Sequence, residues 1–221
     1  MIACLFSGGK DSTLALHKAV SAGKKVGLLI TMRPDSADSY MFHKPNVDFT
    51  NLQAEALGIS QALVVTKGEK EKELTDLEAA LVDNSVEEII TGAVASEYQN
   101  SRIDAMCKRH SILHTAPLWG IDPMEELNEL ARSYKVIITK VAAEGLDSSF
   151  LGQEIDQRMI KRLEELQRRN RINMLFEGGE AESFVLDAPL FKRRIEVINF
   201  GIVEKSSSAE YVIKEARLVD K

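Results

Sequence analysis

Short apolar segments alternate with segments of helical spacing through the first 142 residues, and this alternation limits the possible folds most strongly. Apolar or β-branched runs at 2–6, 25–31, 62–66, 88–91, 112–115 and 135–141 predict six strands. Between them, apolar residues recur every three or four positions, as at 47–57 and 70–82, which predicts amphipathic helices. Strands that alternate with helices are typical of an α/β fold in which helices flank a parallel sheet.

The pattern changes after residue 142. An amphipathic helix is predicted over 153–169, followed by a turn rich in glycine and acidic residues and by two strand-like runs at 194–203 and 210–218. This order of elements predicts a smaller C-terminal α+β domain, with the two domains at 1–142 and 143–221. In the first domain a ligand is expected beyond the carboxyl ends of the parallel strands, at a switch point in strand order.

A Ser-Gly-Gly-Lys-Asp-Ser hexapeptide occupies residues 7–12, between the first predicted strand and the first predicted helix. It matches neither the P-loop pattern GxxxxGK[ST] nor the dinucleotide pattern GxGxxG. Its two glycines and the helix start would still present N–H groups to phosphate, with hydroxyls from Ser7 and Ser12 and a charge from Lys10. Asp11 would repel a bare phosphate, so its presence favours a bridging Mg²⁺. The alternative is an ordinary glycine-rich turn before a capped helix.

Composition argues against several classes of protein. The formal net charge of -6 disfavours broad contact with nucleic acid or with an anionic membrane. No apolar stretch approaches the roughly 20 residues that span a bilayer, so a soluble, cytoplasmic protein is expected. Cys4 and Cys107 have neither CxxC nor zinc spacing and are predicted to be small buried apolar residues.

The hexapeptide resembles the PP-loop of the ATP pyrophosphatase superfamily, whose members cleave ATP to AMP and pyrophosphate while adenylating an acceptor. Further blocks resemble the diphthine–ammonia ligase family, in the same order along nearly the whole chain. They are DSYMFHKPN at 38–46, LQAEALG at 52–58, GAVASEYQNSR at 92–102, APLWG at 116–120, AEGLD at 143–147, EGGE at 177–180 and FVLDAPLF at 184–191.

The resemblance implies a HUP-like, adenine nucleotide α-hydrolase-like PP-loop domain that binds ATP at 1–142, and an acceptor-substrate domain at 143–221. It implies a ligase that converts diphthine on translation elongation factor 2 to diphthamide with ammonium. The acceptor would pass through an acyl-adenylate, with release of AMP and pyrophosphate. Mg²⁺ is the expected metal, with Asp11 as its ligand. Extra C-terminal domains of eukaryotic relatives have no counterpart here, so the chain is similar to the compact archaeal form.

Two cations are expected to stabilise the charge that develops on the phosphates. Lys10 lies in the hexapeptide itself. Arg102 follows a strand whose end should lie at the same edge of the sheet, although it would equally fit a surface ion pair with Glu97 or Asp104. The remaining predicted ATP-binding residues of the hexapeptide are Ser7, Gly8, Gly9, Asp11 and Ser12. Resemblance to the superfamily implies that the backbone of Thr31 and Met32 holds the adenine. Gly92, at a strand end, would let the nucleotide approach the backbone closely.

The acceptor site is expected at the acidic block of the second domain. Carboxylates crowd a short stretch that also holds Phe176, Phe184 and Phe191. Carboxylates beside aromatic faces suit a quaternary ammonium group such as that of diphthine, and they would also suit ammonium or Mg²⁺. The predicted catalytic residues here are Glu177 and Glu180, and the predicted substrate-binding residues are Tyr98, Glu177, Gly178, Gly179, Glu180, Glu182 and Asp187. Composition alone would favour a solvated acidic turn. Tyr98 and Trp119 are weaker candidates, because single aromatic residues more often belong to the core. His43 is a candidate for removing a proton from ammonium, although a lone histidine is more often structural.

Two other functions stay open on the sequence. A PP-loop ligase acting on tRNA would want a basic face, for which 167–171 and 192–194 supply basic residues, whereas a thiolase would want reactive cysteines. A nucleotide-binding sensor would bind ATP without turnover. Enzymes that take nitrogen from glutamine need a nucleophilic cysteine, either at the mature N-terminus or in a separate glutaminase domain. Here Ile2 follows Met1 and neither cysteine has a suitable setting, so free ammonium is the expected nitrogen donor unless a partner supplies it. Homo-oligomerisation is compatible with the sequence.

Overall fold

Two units make up the chain, each with its own sheet. The computed structural model describes residues 1–34, 46–67 and 72–221. Within them, the first unit comprises Met1–Ser7 and Asp11–Gly120, and the second comprises Gly8–Lys10 and Ile121–Lys221. The hexapeptide is therefore divided, because its three central residues pack with the second unit.

The sheet of the first unit has five parallel strands in the order β3-β2-β1-β4-β5. These strands are β1 (Ile2–Leu5), β2 (Val26–Pro34), β3 (Ser60–Thr66), β4 (Glu88–Ile90) and β5 (Leu113–Thr115). The helices are α1 (Lys10–Ser21), α2 (Thr50–Leu57), α3 (Lys72–Asp83) and α4 (Glu97–Arg109), with a 3-10 turn at Val47–Phe49 before α2. The predicted parallel sheet flanked by helices is confirmed.

A buried apolar cluster joins this sheet to α3 and α4. Ile30 of β2 and Ile89 of β4 are fully buried and pack with Leu77, Leu81 and Met106 from the two helices. Burial of each such side chain contributes about 1.5–3 kcal/mol. The cluster fixes the strands side by side, so that their carboxyl ends form one edge.

The second unit carries an antiparallel sheet in the order β7-β6-β9-β8. Its elements are α5 (Pro123–Ser133), β6 (Lys135–Val141), α6 (Gln157–Asn170), β7 (Ala181–Asp187), β8 (Arg194–Glu204) and β9 (Ala209–Val219). The predicted smaller C-terminal α+β domain is thus present.

The predicted boundary at 142 differs from the observed division, which follows Gly120. The run at 135–141 is a strand as predicted, but it is β6, and it pairs antiparallel with β7 and β9 instead of extending the parallel sheet. A short apolar run predicts a buried strand without identifying its neighbours, and those neighbours lie at 181–187 and 209–210.

A segment at 152–155 separates β6 from most of β9. β7 pairs along one edge of β6, and β9 meets the other edge only at Lys140↔Glu210 and Val141↔Ala209. Along the earlier part of that edge, the N–H of Gly152 donates to the carbonyl of Ile138 at 2.8 Å, and the N–H of Ile155 donates to the carbonyl of Val136 at 2.8 Å. The β8–β9 hairpin is therefore held to β6 near its turn alone.

Some predictions fall outside the described residues. These are His43, nearly all of the block at 38–46, and the first two residues of the helix predicted at 70–82. No helix in the described part of the chain is both long and apolar enough to cross a membrane.

Both cysteines are free and buried, as predicted. Burial raises the pKa of the Cys4 thiol to about 12, and burial together with the nearby Asp104 carboxylate raises the pKa of Cys107 to about 11. Because the thiolate is the nucleophile, neither residue is suited to thiol chemistry at neutral pH.

Candidate functional site

The hexapeptide forms the turn between β1 and α1, at the carboxyl edge of the parallel sheet. Gly8 has a φ of 78°, a conformation that favours glycine. In the first unit, the Ser12 hydroxyl accepts a hydrogen bond from the Ser7 N–H at 3.3 Å and lies 3.2 Å from the Ser7 hydroxyl. The two serine hydroxyls are therefore brought together at the start of a helix, where N–H groups and the helix dipole favour an anion.

Gly92 lies against this turn, just past the end of β4. A Cβ atom on Gly92 would lie 2.7 Å from both the Asp11 carbonyl carbon and the Ser12 nitrogen, so any side chain would displace the backbone of α1. The chain passes from β1 to β2 on one side, while β4 is the neighbour of β1 on the other. The turn and Gly92 therefore meet at the switch point of the sheet, where α/β proteins bind ligands.

Thr31 and Met32 lie inside β2, because that strand runs three residues beyond its predicted end at 31. The Thr31 hydroxyl donates to the carbonyl of Phe6 at 2.7 Å, and the Ile30 carbonyl faces β1, where it accepts from the Phe6 N–H at 2.8 Å. Alternation along a strand turns the peptide groups of Met32 to the same side as those of Ile30. β1 ends at Leu5, so the Met32 peptide groups face the turn region at the switch point.

Lys10 forms a buried ion pair within the second unit. Its Nζ atom lies 3.1 Å from Oε1 of Glu126 on α5, and the two side chains are 1% and 0% exposed. The Lys10 N–H donates to the Ser183 hydroxyl at 3.1 Å, and the Gly8 carbonyl accepts from the Val185 N–H at 3.0 Å. These contacts to α5 and β7 hold residues 8–10 in the second unit.

Sequence reasoning missed Glu126 and Ser183. A signal for Glu126 was present, since it lies on the apolar face of α5 beside Leu127 and Leu130, which are also fully buried. A carboxylate in that position needs a buried partner. Ser183 carries no such signal, because nothing in its neighbourhood in the sequence distinguishes it.

Arg102 and Tyr98 are brought together on α4. The Arg102 guanidinium carbon lies 5.2 Å from the centre of the Tyr98 ring, a cation–π distance. Asp104, one of the two carboxylates predicted as possible ion-pair partners of Arg102, has its Oδ2 atom 2.6 Å from Nζ of Lys108. The pair therefore offers a guanidinium oriented by an aromatic ring.

The acidic block at 177–180 is a tight turn built around the Glu180 carboxylate. Its two oxygens accept hydrogen bonds from the N–H groups of Asn173 and Gly178, each at 2.9 Å. A Cβ on Gly178 would lie 2.8 Å from Oε1 of Glu180, and Gly179 and Phe176 have φ values of 81° and 65°. Glu180 therefore shapes this turn, and Glu177 lies half-buried within it.

The other predicted acceptor residues have separate cationic partners. Glu182 lies 3.3 Å from the Lys140 ammonium, and Asp187 lies 2.7 Å from that of Lys221. Phe184 and Phe191 are only 1% and 3% exposed, so their rings pack in the core. The structure thus joins Glu177, Gly178, Gly179 and Glu180 in one turn and does not gather all four carboxylates into one cluster.

The turn at 7–12 fits a nucleoside triphosphate with a bound metal ion. The hydroxyls of Ser7 and Ser12 lie together at a helix start that packs against Gly92, and such groups suit phosphate oxygens. Among the described residues no group of three or more His, Cys, Asp or Glu side chains is placed to hold a metal ion. Mg²⁺ commonly takes one or two carboxylates and completes its shell with phosphates and water, so a site with Asp11 as its one protein carboxylate would be of an ordinary kind.

The fold and this turn define a class of protein, the α/β proteins that bind a ligand at a glycine-containing turn after the first strand. Two family models match the chain, the diphthamide synthase N-terminal domain over residues 1–113 and the diphthamide synthase C-terminal domain over residues 122–219. The chain therefore belongs to the diphthamide synthase family.

Relatives support this assignment. The chain is 35% identical to the diphthine–ammonia ligase of Bos taurus and 33% identical to that of Homo sapiens, in each case over 94% of this chain and 86% of the relative.

Among solved structures, a predicted subunit of tRNA methyltransferase from Methanocaldococcus jannaschii DSM matches 85% of this chain and 97% of its own, at a TM-score of 0.46 and 16% identity.

Proposed function

We propose that the protein is an ATP-dependent diphthine–ammonia ligase that amidates diphthine on translation elongation factor 2. The diphthine carboxylate attacks the α-phosphorus of ATP and displaces pyrophosphate, which gives an acyl-adenylate. Ammonia then attacks the acyl carbon, AMP leaves, and ammonia loses a proton to give the diphthamide amide. Adenylation converts a poor leaving group into AMP, and family membership supports this substrate.

The packing of Gly92 against the start of α1 carries the proposal. It brings the end of β4 directly against the backbone of Asp11 and Ser12, so the first turn of α1 is held at the switch point where α/β proteins bind ligands. Phosphate oxygens would meet the N–H groups at the start of α1 and the hydroxyls of Ser7 and Ser12. The Met32 peptide groups would hydrogen-bond the adenine.

Lys10 has two roles in this proposal. Its ammonium is paired with Glu126, which offsets the cost of burying the charge. Phosphate would add a second anionic partner, and Glu126 would keep the ammonium oriented. Asp11 would hold Mg²⁺, which supplies positive charge to the phosphates when bound, and Arg102 would stabilise charge on the leaving pyrophosphate.

The turn at 177–180 would receive the acceptor. Glu180 holds the turn through its two N–H contacts, so we assign it a positioning role alongside its predicted catalytic one. Glu177 would contact the acceptor or ammonium, with Gly178 and Gly179 permitting close approach. Tyr98, Glu182 and Asp187 stay predicted as further acceptor contacts.

Pyrophosphate release tests the proposal. We expect release from ATP that requires both diphthine-bearing elongation factor 2 and ammonium, with one AMP formed for each amide. A sensor would bind ATP without acceptor-dependent AMP, and a tRNA ligase would need tRNA in place of the protein. Either of those results would contradict the proposed function.

A further inference from the structure

We propose that a groove on the second unit binds an acidic, carboxylate-rich segment of the protein substrate. The inference rests on the proposed function, because it takes the acceptor to be carried by a protein. It concerns a groove to which the family resemblance assigns no role, and which includes Arg194 from the basic stretch at 192–194.

The groove has a volume of about 780 Å³ and lies where β6 and β9 separate. The beginnings of β6 and β8, the segment at 152–155 and the first turns of α6 line it. Gly152, with a φ of 73°, lies where the separation begins, and a Cβ there would be 2.9 Å from the Tyr211 ring. Insertion of 152–155 beside β6 thus creates the groove.

Three cations in the groove form no close ion pair in the described part of the chain, and the Asp147 carboxylate interacts with one of them, Arg162, through its charge alone. They are Lys135 at the start of β6, Arg162 on α6 and Arg194 at the start of β8, and all three are exposed. The lining carboxylates are mostly engaged, since Asp156 pairs with Arg158 and Glu196 with Arg217. Glu154 is the remaining acidic group of the lining, so the groove has an excess of positive charge in a chain of net charge -6.

Arg162 is already oriented for binding an anion. Its guanidinium carbon lies 3.9 Å from the centre of the buried Phe150 ring, so one face of the guanidinium is covered. When a ring covers one face of a guanidinium, the N–H groups along its edge remain available. A carboxylate can accept two hydrogen bonds from them. Less side-chain entropy is then lost on binding.

The floor of the groove favours a polypeptide over nucleic acid. Ile137, Ile195 and Tyr211, which are 4%, 4% and 7% exposed, contribute apolar atoms to the same lining as the cations. An extended peptide can place apolar side chains on such a floor and carboxylates on the rim. Nucleic acid binding depends on many phosphate contacts along a basic face, and an acidic chain with three grouped cations provides few.

Charge reversal in the intact enzyme tests this surface. The test variant carries Lys135→Glu and Arg194→Glu, and the matched control carries Arg168→Glu and Arg169→Glu on exposed positions of α6 outside the groove. The measurements are kcat and the KM values for diphthine-bearing elongation factor 2 and for ATP, at two salt concentrations. Thermal melts establish that both variants are folded.

We expect the test variant to raise KM for the protein acceptor about tenfold, with kcat and the KM for ATP unchanged and a weaker salt dependence of the acceptor KM. The control should stay within about twofold of the parent. An acceptor KM equal to that of the control would overturn the inference. So would binding of an RNA oligonucleotide that the test variant loses while it keeps its acceptor KM. Absence of acceptor-dependent pyrophosphate from the parent enzyme would refute the proposed function itself, and the inference with it.

Discussion

At the scale of single residues, the buried pair of Lys10 and Glu126 is one of the contacts that hold residues 8–10 of the turn in the second unit. Each side chain would be costly to bury alone, because water no longer solvates its charge. Paired at 3.1 Å, the charges offset that cost. Removing one partner should therefore destabilise the fold much more than removing an exposed charge.

Glu126→Gln tests this dependence. It removes the charge of the Glu126 carboxylate from beside the buried Lys10 ammonium, so we expect the free energy of unfolding to fall by about 3–5 kcal/mol. Urea denaturation of the full chain measures the loss. Glu125→Gln, at the neighbouring exposed position of α5, is the control and should change stability by less than about 0.5 kcal/mol. Equal losses in the two variants would show that the pair contributes little.

Gly92→Ala tests the close approach at the switch point. The added methyl group would lie 2.7 Å from backbone atoms of Asp11 and Ser12, so the first turn of α1 must move. We expect kcat/KM for ATP to drop roughly 10- to 100-fold, because misplacement of binding groups by about 1 Å can cost this much. Gly27→Ala is the control, since a Cβ there would meet only Met1 Sδ at 3.8 Å. Unchanged ATP kinetics in Gly92→Ala would contradict the assigned nucleotide site.

Individual residues also show how far the sequence could predict the site. The places of Ser7, Ser12 and Gly92 in the fold were predictable, because a turn after a strand and a glycine at a strand end carry local meaning. The contacts of Lys10 were not identifiable, because Glu126 and Ser183 are distant in the chain. A row of carboxylates does not reveal that the two oxygens of Glu180 are bound by the backbone of its own turn.

At the scale of elements, Asp156 caps the N-terminus of α6. Its Oδ1 atom accepts hydrogen bonds from the N–H groups of Met159 and Arg158 at 2.8 and 2.9 Å. The bond from Met159 is the main cause that holds the pKa of this carboxyl below its ordinary value. A carboxyl whose pKa is lower in the folded state stabilises the fold above its unfolded pKa and loses that contribution as pH falls through the folded pKa.

Asp156→Ala should therefore lower the free energy of unfolding by about 1 kcal/mol at pH 7. The difference between parent and variant should shrink as pH falls below the ordinary range of an aspartate, because the protonated carboxyl is a poorer acceptor. Urea denaturation from pH 7 down to pH 3 follows the change. Asp220→Ala, near the exposed C-terminus, should show no such trend. A constant difference across this range would exclude the charge of the cap as its origin.

Most elements were predictable from local pattern, and their partners were not. Gly58 ends α2 in a left-handed conformation with a φ of 70°, as its position after an amphipathic segment predicts. β2 extends to Pro34 because Met32 and Arg33 pair with Val64 and Val65 of β3. The sequence of β2 alone does not reveal this pairing, so the end of the strand could not be predicted from it. The sheet to which β6 belongs depends in the same way on residues far along the chain.

At the scale of the whole molecule, the second unit includes three residues from near the N-terminus. A fragment of residues 121–221 lacks Lys10 and so loses the buried ion pair of Lys10 with Glu126. We expect this fragment to unfold readily and Glu126→Leu within it to restore stability by several kcal/mol. Circular dichroism during urea denaturation of both fragments measures this. Glu125→Leu in the same fragment is the control, and equal effects of the two substitutions would contradict the expectation.

The pairing of residues 8–10 with α5 and β7 also orders events during synthesis. The turn lies within the first dozen residues of the chain and is synthesised early. Its partners are synthesised much later, at Glu126, Ser183 and Val185. The parallel sheet can form earlier, since its last strand ends at Thr115. In the nascent chain, residues 8–10 therefore lack these partners until most of the second unit has been translated.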